Sequence, residues 1–396
     1  MAKKGMQFDV PLCLGVLALV GVGMVLIYSS SAAYADARGL PESFYLAQHL
    51  KKVLVGLAAF LIGMTVPYKT WERLARPLVM VSLGLLVFIL VSGAGSVNGA
   101  SRWVFGIQPS EMAKLSMIFY MARRLSEKAA DMHRFGKGLV SSLILPGIMC
   151  VLIVLQPNYS MVLMLCGITA AMVFAGGARL RHLMILAGAA IPLLVVVMVS
   201  SAYRMKRVMA FIDPSANPAS SYQSLQALIS LGNGGLIGTG LGNGTQKLGY
   251  LPMPFTDTVF AILGEETGFF GTMVVLGLFG LILWRGLRIA YACTDRFGGL
   301  VAAGISISVA LNVAMHVGVC VKLFPTTGQP LPFVSYGGSS LIANLLGMGI
   351  LLNISNAASA SATAEPKPRL VWHAARRTSP LRPFTTGAHR SAGGRA

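Results

Sequence analysis

The chain reads as an all-α, polytopic membrane protein with about ten transmembrane helices. Three observations predict this. Of its 396 residues, 55% are hydrophobic and only 11% are charged, where a soluble domain carries about 25% charged residues. The apolar residues gather in runs close to the roughly 20 needed to cross the hydrocarbon layer. The short alternating strands of a membrane β-barrel do not occur.

The spans follow in order. The first, 10–30, resembles a secretory signal peptide, with Lys3 and Lys4 ahead of it and Ala33-Tyr34-Ala35 behind. Its apolar run from Val10 to Tyr28 is long for a leader and many spans follow, so it reads as an uncleaved first span. The next are 48–66, 77–93, 109–123, 138–156, 160–176 and 183–201. The fourth and sixth are short, and Pro109 and Pro157 mark their starts. A long polar interval, 202–258, separates the seventh span from 258–284, 298–321 and 339–356. An even count puts both termini on one side. The connections on that side hold Lys69, Arg73, Arg76, Arg123, Arg124, Arg285 and Arg288 among other bases. The positive-inside bias then makes both termini cytoplasmic and the 202–258 loop extracytoplasmic. Residues 1–356 form one integral membrane domain. The tail 357–396, rich in Ala, Ser, Pro and Arg, reads as a disordered basic cytoplasmic extension against the anionic inner leaflet.

The net charge of +19 belongs to this loop bias and not to nucleic acid, since no basic helix or aromatic reading surface accompanies it. The five cysteines form no C-x-x-C pair and the six histidines have no ligand spacing, so neither a disulfide framework nor a metal site is expected.

Four segments on the non-cytoplasmic face are rich in Pro, Gly and polar residues: 97–114, 155–160, the 202–258 interval and 324–340. Non-helical backbone at membrane depth must be shielded by protein or line a wet cavity. Their convergence on one face predicts an outward-facing site. The interval also contains GNGGLIGTGLGNGT (232–245). It lacks the phosphate-loop lysine pattern and a βαβ context, so it reads as a flexible or re-entrant loop.

The candidate residues are charges in unexpected places. Arg204, Lys206 and Arg207 break the positive-inside bias; they either grip lipid phosphates or bind a substrate diphosphate. Glu111 and Lys114 stand at i, i+3 in the fourth span, as a structural ion pair or a functional one. Arg102 in the preceding loop can join Lys114 at the same outer cavity. Asp257 sits at the last polar position before the eighth span, flanked by Pro252 and Pro254. It is either the N-cap of that helix or a catalytic base. Asp213, before Pro214, reads as a turn residue, and Glu265 and Glu266 as packed or paired acids inside the eighth span.

Six motifs then match one family: NGASRW (98–103), IQPSEMAK (107–114), YRMKRVMAFIDP (203–214), SYQSLQALISLGNGGLIGTGLGNGTQKLGYLP (221–252), TDTVFAILGEETGFFG (256–271) and PTTGQPLPFVSYGGSSLIANL (325–345). The chain resembles the SEDS proteins (shape, elongation, division, sporulation), most closely the FtsW/SpoVE branch, with RodA as a relative. The resemblance implies a ten-span peptidoglycan glycosyltransferase of the bacterial inner membrane. It would polymerise lipid II into β-1,4 glycan at the outer face, with release of undecaprenyl diphosphate, during septal synthesis in division. It further implies Asp257 as the essential acid, and Arg102, Lys114, Arg204 and Arg207 as the bases of the substrate site. Glu111, Lys247 and Ser335, within the matched motifs, join the substrate-binding set. The implied partners are lipid II and the nascent glycan strand, a class B penicillin-binding protein as transpeptidase, other division proteins and membrane lipids. No cofactor is required, and a divalent cation is left open. A lipid II flippase and a non-catalytic scaffold are the alternative functions. The chain departs from the family pattern at Met253 and Phe255, where Glu and His are usual, and at Asn158, where Asp is common.

Overall fold

The computed structural model describes residues 9–362 apart from 93–95, 98–99, 102–107, 133 and 216–217. Seven helices come first: α1 (Val10–Asp36), α2 (Phe44–Thr65), α3 (Tyr68–Ser92), α4 (Pro109–Glu127), α5 (Ser141–Leu155), α6 (Tyr159–Ala175) and α7 (Leu180–Val199). Then follow α8 (Ala202–Ile212), α9 (Pro218–Gly234), the long α10 (Val259–Ala292), α11 (Arg296–Cys320) and α12 (Gly338–Ala362). Among the described residues the only strands are a two-residue antiparallel pair, β1 (Ser96–Val97) and β2 (Ala100–Ser101), ahead of α4.

Eight helical segments are long and apolar enough to cross a membrane by length and composition: α1, α2, α3, α5 taken with the helical turn before it (Gly138–Leu155), α7, α10, α11 and α12; α6 is a shorter apolar helix. The chain is thus a multi-pass, all-α membrane protein. α4 corresponds to the fourth expected span, with Glu111 and Lys114 lowering its apolar character. α11 and α12 are the most buried spans and α7 the least, with His182 as its buried residue. Apolar side chains such as Ile185, Leu193 and Val196 on α7 are exposed, as suits a helix whose solvent is lipid. On the side of the termini, Asp9 caps α1 through Leu12 N (3.1 Å) and pairs with Arg285 of α10 at 2.6 Å.

Several helix ends differ from the sequence reading, and three differences matter most. α3 starts at Tyr68, not at 77, and Pro77 lies inside it. Its first turns carry Lys69, Glu72, Arg73 and Arg76 beyond the apolar layer, where hydropathy stops reporting helix. α12 continues past residue 356 to Ala362, so the first residues of the expected tail are helical; 363–396 lie outside the described residues. The interval 202–258 is not simply a loop, since α8 and α9 occupy much of it.

The glycine-rich run after α9 is held in place, which sets aside the flexible alternative of the flexible or re-entrant loop expected there. Gly268, at φ +67°, breaks α10. An unbroken helix would bond Phe269 and Phe270 N–H to the Glu265 and Glu266 carbonyls. Here those carbonyls accept from Thr239 N (2.9 Å) and Gly240 N (3.0 Å). The freed N–H groups of Phe269 and Phe270 donate to Gly235 O (2.9 Å) and Leu236 O (3.2 Å). Two lost helix bonds are replaced by four, as a water-poor surrounding demands. Gly238, at φ +90°, lets the two backbones meet: a Cβ on either Gly238 or Gly268 would strike the other segment. α9 is fastened beside the break, with Ser230 Oγ donating to Ala261 O (3.0 Å) and Glu265 Oε2 (3.1 Å).

Candidate active site

Asp257 stands at the end of the turn-rich 251–258 segment, immediately before the buried first part of α10. Two residues earlier, Phe255 is fully buried among aromatic rings. Its ring centroid lies 5.3 Å from Tyr34, 4.9 Å from Tyr45 and 5.6 Å from Tyr336. Tyr336 N donates to Phe255 O at 2.8 Å. This packing fixes the approach of the chain to Asp257, and it gives Phe255 a structural role where the family pattern departs. The Asp257 carboxylate is half-buried and accepts from Thr256 Oγ1 at 2.9 Å. The N-cap of α10 is Thr258, and no side-chain cap bond forms there. Asp257 therefore does not spend its carboxylate on capping.

The loop joining α11 to α12 runs past this carboxylate. Gly328, at φ +66°, lies so close that a Cβ on it would be 3.8 Å from Asp257 Oδ2. Arg207 of α8 donates to Thr326 O at 2.9 Å. Ser160 of α6 donates to Thr327 O at 2.9 Å. His316 of α11, fully buried, places Nδ1 2.8 Å from Gln329 O. One loop thus joins a candidate acid and a candidate base that are 50 residues apart in sequence (257 minus 207). Ser335 Oγ accepts from Leu331 N at 2.8 Å and is buried, so its hydroxyl closes the turn within this loop. At its far end Ser339 Oγ accepts from Gln108 N at 2.8 Å, which reaches the start of α4.

There Lys114 Nζ and Glu111 Oε2 are 2.8 Å apart, and both side chains are buried. Glu111 Oε1 has no hydrogen-bond partner. A narrow crevice beside them is lined by Lys114, Ser308 and Asn344. Arg204 shares α8 with Arg207; its Nη2 reaches Ser200 Oγ at 3.4 Å, while its Nε is buried and unpartnered. Arg102 lies outside the described residues.

Lys247 is bonded to a different part of the bundle. Its ammonium is 2.6 Å from Glu266 Oε1 and 2.8 Å from Ser29 Oγ, and it is buried. Glu265 accepts from Thr245 N (2.8 Å) and Thr245 Oγ1 (3.0 Å). These two acids and Lys247 brace the break in α10. Asp213 accepts from Ser215 N at 3.0 Å, the turn its place before Pro214 suggested.

Sequence reasoning missed Ser160 and His316. His316 is an isolated polar residue inside an apolar run, and Ser160 ends the polar 155–160 segment, where nothing local singles it out from its neighbours. The PTTGQ segment whose carbonyls they meet was visible as a motif, but its partners are distant in sequence.

The chain is similar to known proteins over most of its length. The profile of the FtsW/RodA/SpoVE family, described as cell cycle proteins, matches residues 11–360. A probable peptidoglycan glycosyltransferase FtsW of Trichlorobacter lovleyi is 40% identical over 355 residues, covering 88% of this chain and 93% of that protein. Stage V sporulation protein E of Bacillus subtilis is 39% identical over 361 residues, covering 90% and 99%. Among solved structures, a chain from work on the structural coordination of polymerization and crosslinking by a peptidoglycan synthase complex aligns with a TM-score of 0.72. That alignment has 28% identity and covers 89% of this chain and 99% of that one. The rod shape determining protein RodA of Thermus thermophilus aligns at 0.63, with 28% identity over 89% and 97%. A profile match over nearly the whole chain, with relatives at this identity, settles the family: this chain belongs to the FtsW/RodA/SpoVE cell cycle proteins.

Proposed function

We propose that this chain is a peptidoglycan glycosyltransferase that polymerises lipid II, with Asp257 as its general base. The 4-hydroxyl of one lipid-linked sugar attacks the anomeric carbon of another. The new C–O bond forms as the bond to undecaprenyl diphosphate breaks, with inversion. The hydroxyl proton passes to Asp257. The diphosphate leaves well once its developing charge is met, and Arg204, Arg207 and Lys114, with Arg102, supply that charge.

The observation that carries this reading is the single loop that places Asp257 beside Gly328 and Arg207 on Thr326. The site faces outward in this reading, at the septum of a dividing cell, and a class B penicillin-binding protein crosslinks the product. The family's named glycosyltransferases and the synthase complex among the structural neighbours support it.

The test is polymerisation of lipid II by the purified chain with its transpeptidase, wild type against Asp257→Asn. The substitution should lower the rate about 10²–10⁴-fold while membrane insertion and partner binding persist. Near wild-type glycan synthesis would refute the assignment. Labelled lipid II crossing vesicles without any glycan product would favour the flippase.

A further inference from the structure

Residues 325–330, PTTGQP, pass beside Asp257 without any backbone–backbone hydrogen bond among the described residues. Two of the six are prolines and have no N–H to give. The backbone pairing resumes only at Phe324 on one side and Leu331 on the other, where Phe324 N donates to Gly318 O and Leu331 O accepts from Val334 N and Ser335 N. Three side chains hold the segment between. They come from three helices and take three nearby carbonyls: Arg207 on Thr326, Ser160 on Thr327 and His316 on Gln329. Gly328 lies between the second and third of these holds, where a Cβ, had it one, would come into van der Waals range of the Asp257 carboxylate.

The His316 bond also fixes a tautomer. A carbonyl only accepts, so Nδ1 carries the proton. Removing a donor at this depth would leave a carbonyl unpaired and the segment free to shift.

We infer that Ser160 and His316 are positioning residues for Asp257, holding segment 325–330 so that Gly328 closes one side of the carboxylate. This rests on the reading of Asp257 as the base. Arg207 is the third hold and also belongs to the cationic clamp. Arrival and departure of the diphosphate therefore load the same guanidinium that fixes Thr326, which couples the segment to the state of the donor site.

The experiment measures kcat and KM for lipid II polymerisation by the full chain with its transpeptidase. His316→Asn keeps a donor near the Nδ1 position and His316→Leu removes it. Ser160→Thr keeps the hydroxyl and Ser160→Ala removes it. The Leu and Ala variants should lose roughly 10- to 100-fold in kcat, the scale of a small misalignment at the reacting centre, with KM unchanged. The Asn and Thr variants should recover most of that loss. Wild-type kcat in both Leu and Ala variants, or equal loss in each conservative and non-conservative pair, overturns the inference. Should His316→Leu fail to insert, the Ser160 pair decides alone. Asp257→Asn is run alongside. If it stays active, the base reading falls and this inference with it. If it is inactive while Ser160→Ala and His316→Leu are fully active, only the positioning role falls.

Discussion

Two buried ion pairs in this bundle differ in what surrounds them. Glu266 receives Lys247 and Ser29 on one oxygen and braces the break in α10. Replacing Lys247 by Met would leave that carboxylate buried and unpaired, which typically destabilises by about 3–5 kcal/mol. The expected result is a clear fall in melting temperature in detergent, largely restored in the Lys247→Met, Glu266→Gln double variant. An unchanged melt in the single variant would show that the pair does not brace the break. Lys114 and Glu111 are equally buried, and Glu111 Oε1, like Glu266 Oε2, has no partner, but Lys114 borders a crevice. Lys114 in the diphosphate clamp predicts that Lys114→Met lowers polymerisation about 10²-fold. That loss should exceed any attributable to unfolding, as checked by melting the same preparation. A variant that melts normally and polymerises normally would remove Lys114 from the clamp. Both pairs were visible as misplaced charges in the sequence, but which acid meets Lys247 was not, because Ser29, Lys247 and Glu266 lie on three separate segments.

At the scale of elements, the broken α10 is the feature that hydropathy could not show. The stretch reads as one apolar span, and Gly268 alone does not mark a break, since glycines are common in membrane helices. The break exists because a second backbone, residues 235–240, replaces the missing helix bonds. Gly268→Ala puts a side chain at φ +67° and into the Ile237–Gly238 backbone. Backbone strain of this kind costs about 1–3 kcal/mol, with the clash added to it. The expected outcome is faster amide exchange across 235–240 and a lower melting temperature. Unchanged exchange in that segment would mean that the clamp is not a stabilising contact. The same reasoning explains why the polar interval was read as a loop. α8 and α9 are too short or too polar to register as spans, and their helicity follows from docking beside α7 and α10.

At the scale of the whole molecule, the distribution of Lys and Arg sets a testable orientation. The bases on α3 and at the ends of α4 and α10 lie on the side of the termini, and those on α8 lie opposite. In a variant lacking the native cysteines, Lys206→Cys on exposed α8 should react with a membrane-impermeant maleimide added outside intact cells. Lys69→Cys, also exposed, should react only after the membrane is opened. The reverse pattern would invert the topology and move the proposed site to the cytoplasm. The all-α class, the succession of apolar helices and the family were legible from the sequence, because apolar length and motif spacing are local properties. The grouping of the site was legible only as a shared face.

The sequence by itself determined that this chain is a multi-pass helical membrane protein of this family, and which few charges are out of place. A run of apolar residues in lipid has no choice but to become helix, so pattern alone suffices. Only the tertiary structure decided that Asp257 is not a cap, that Lys247 serves Glu266, and that Ser160 and His316 hold the loop beside Asp257. Those outcomes depend on which distant backbone groups lack partners once the helices have packed, and no local stretch of sequence records that.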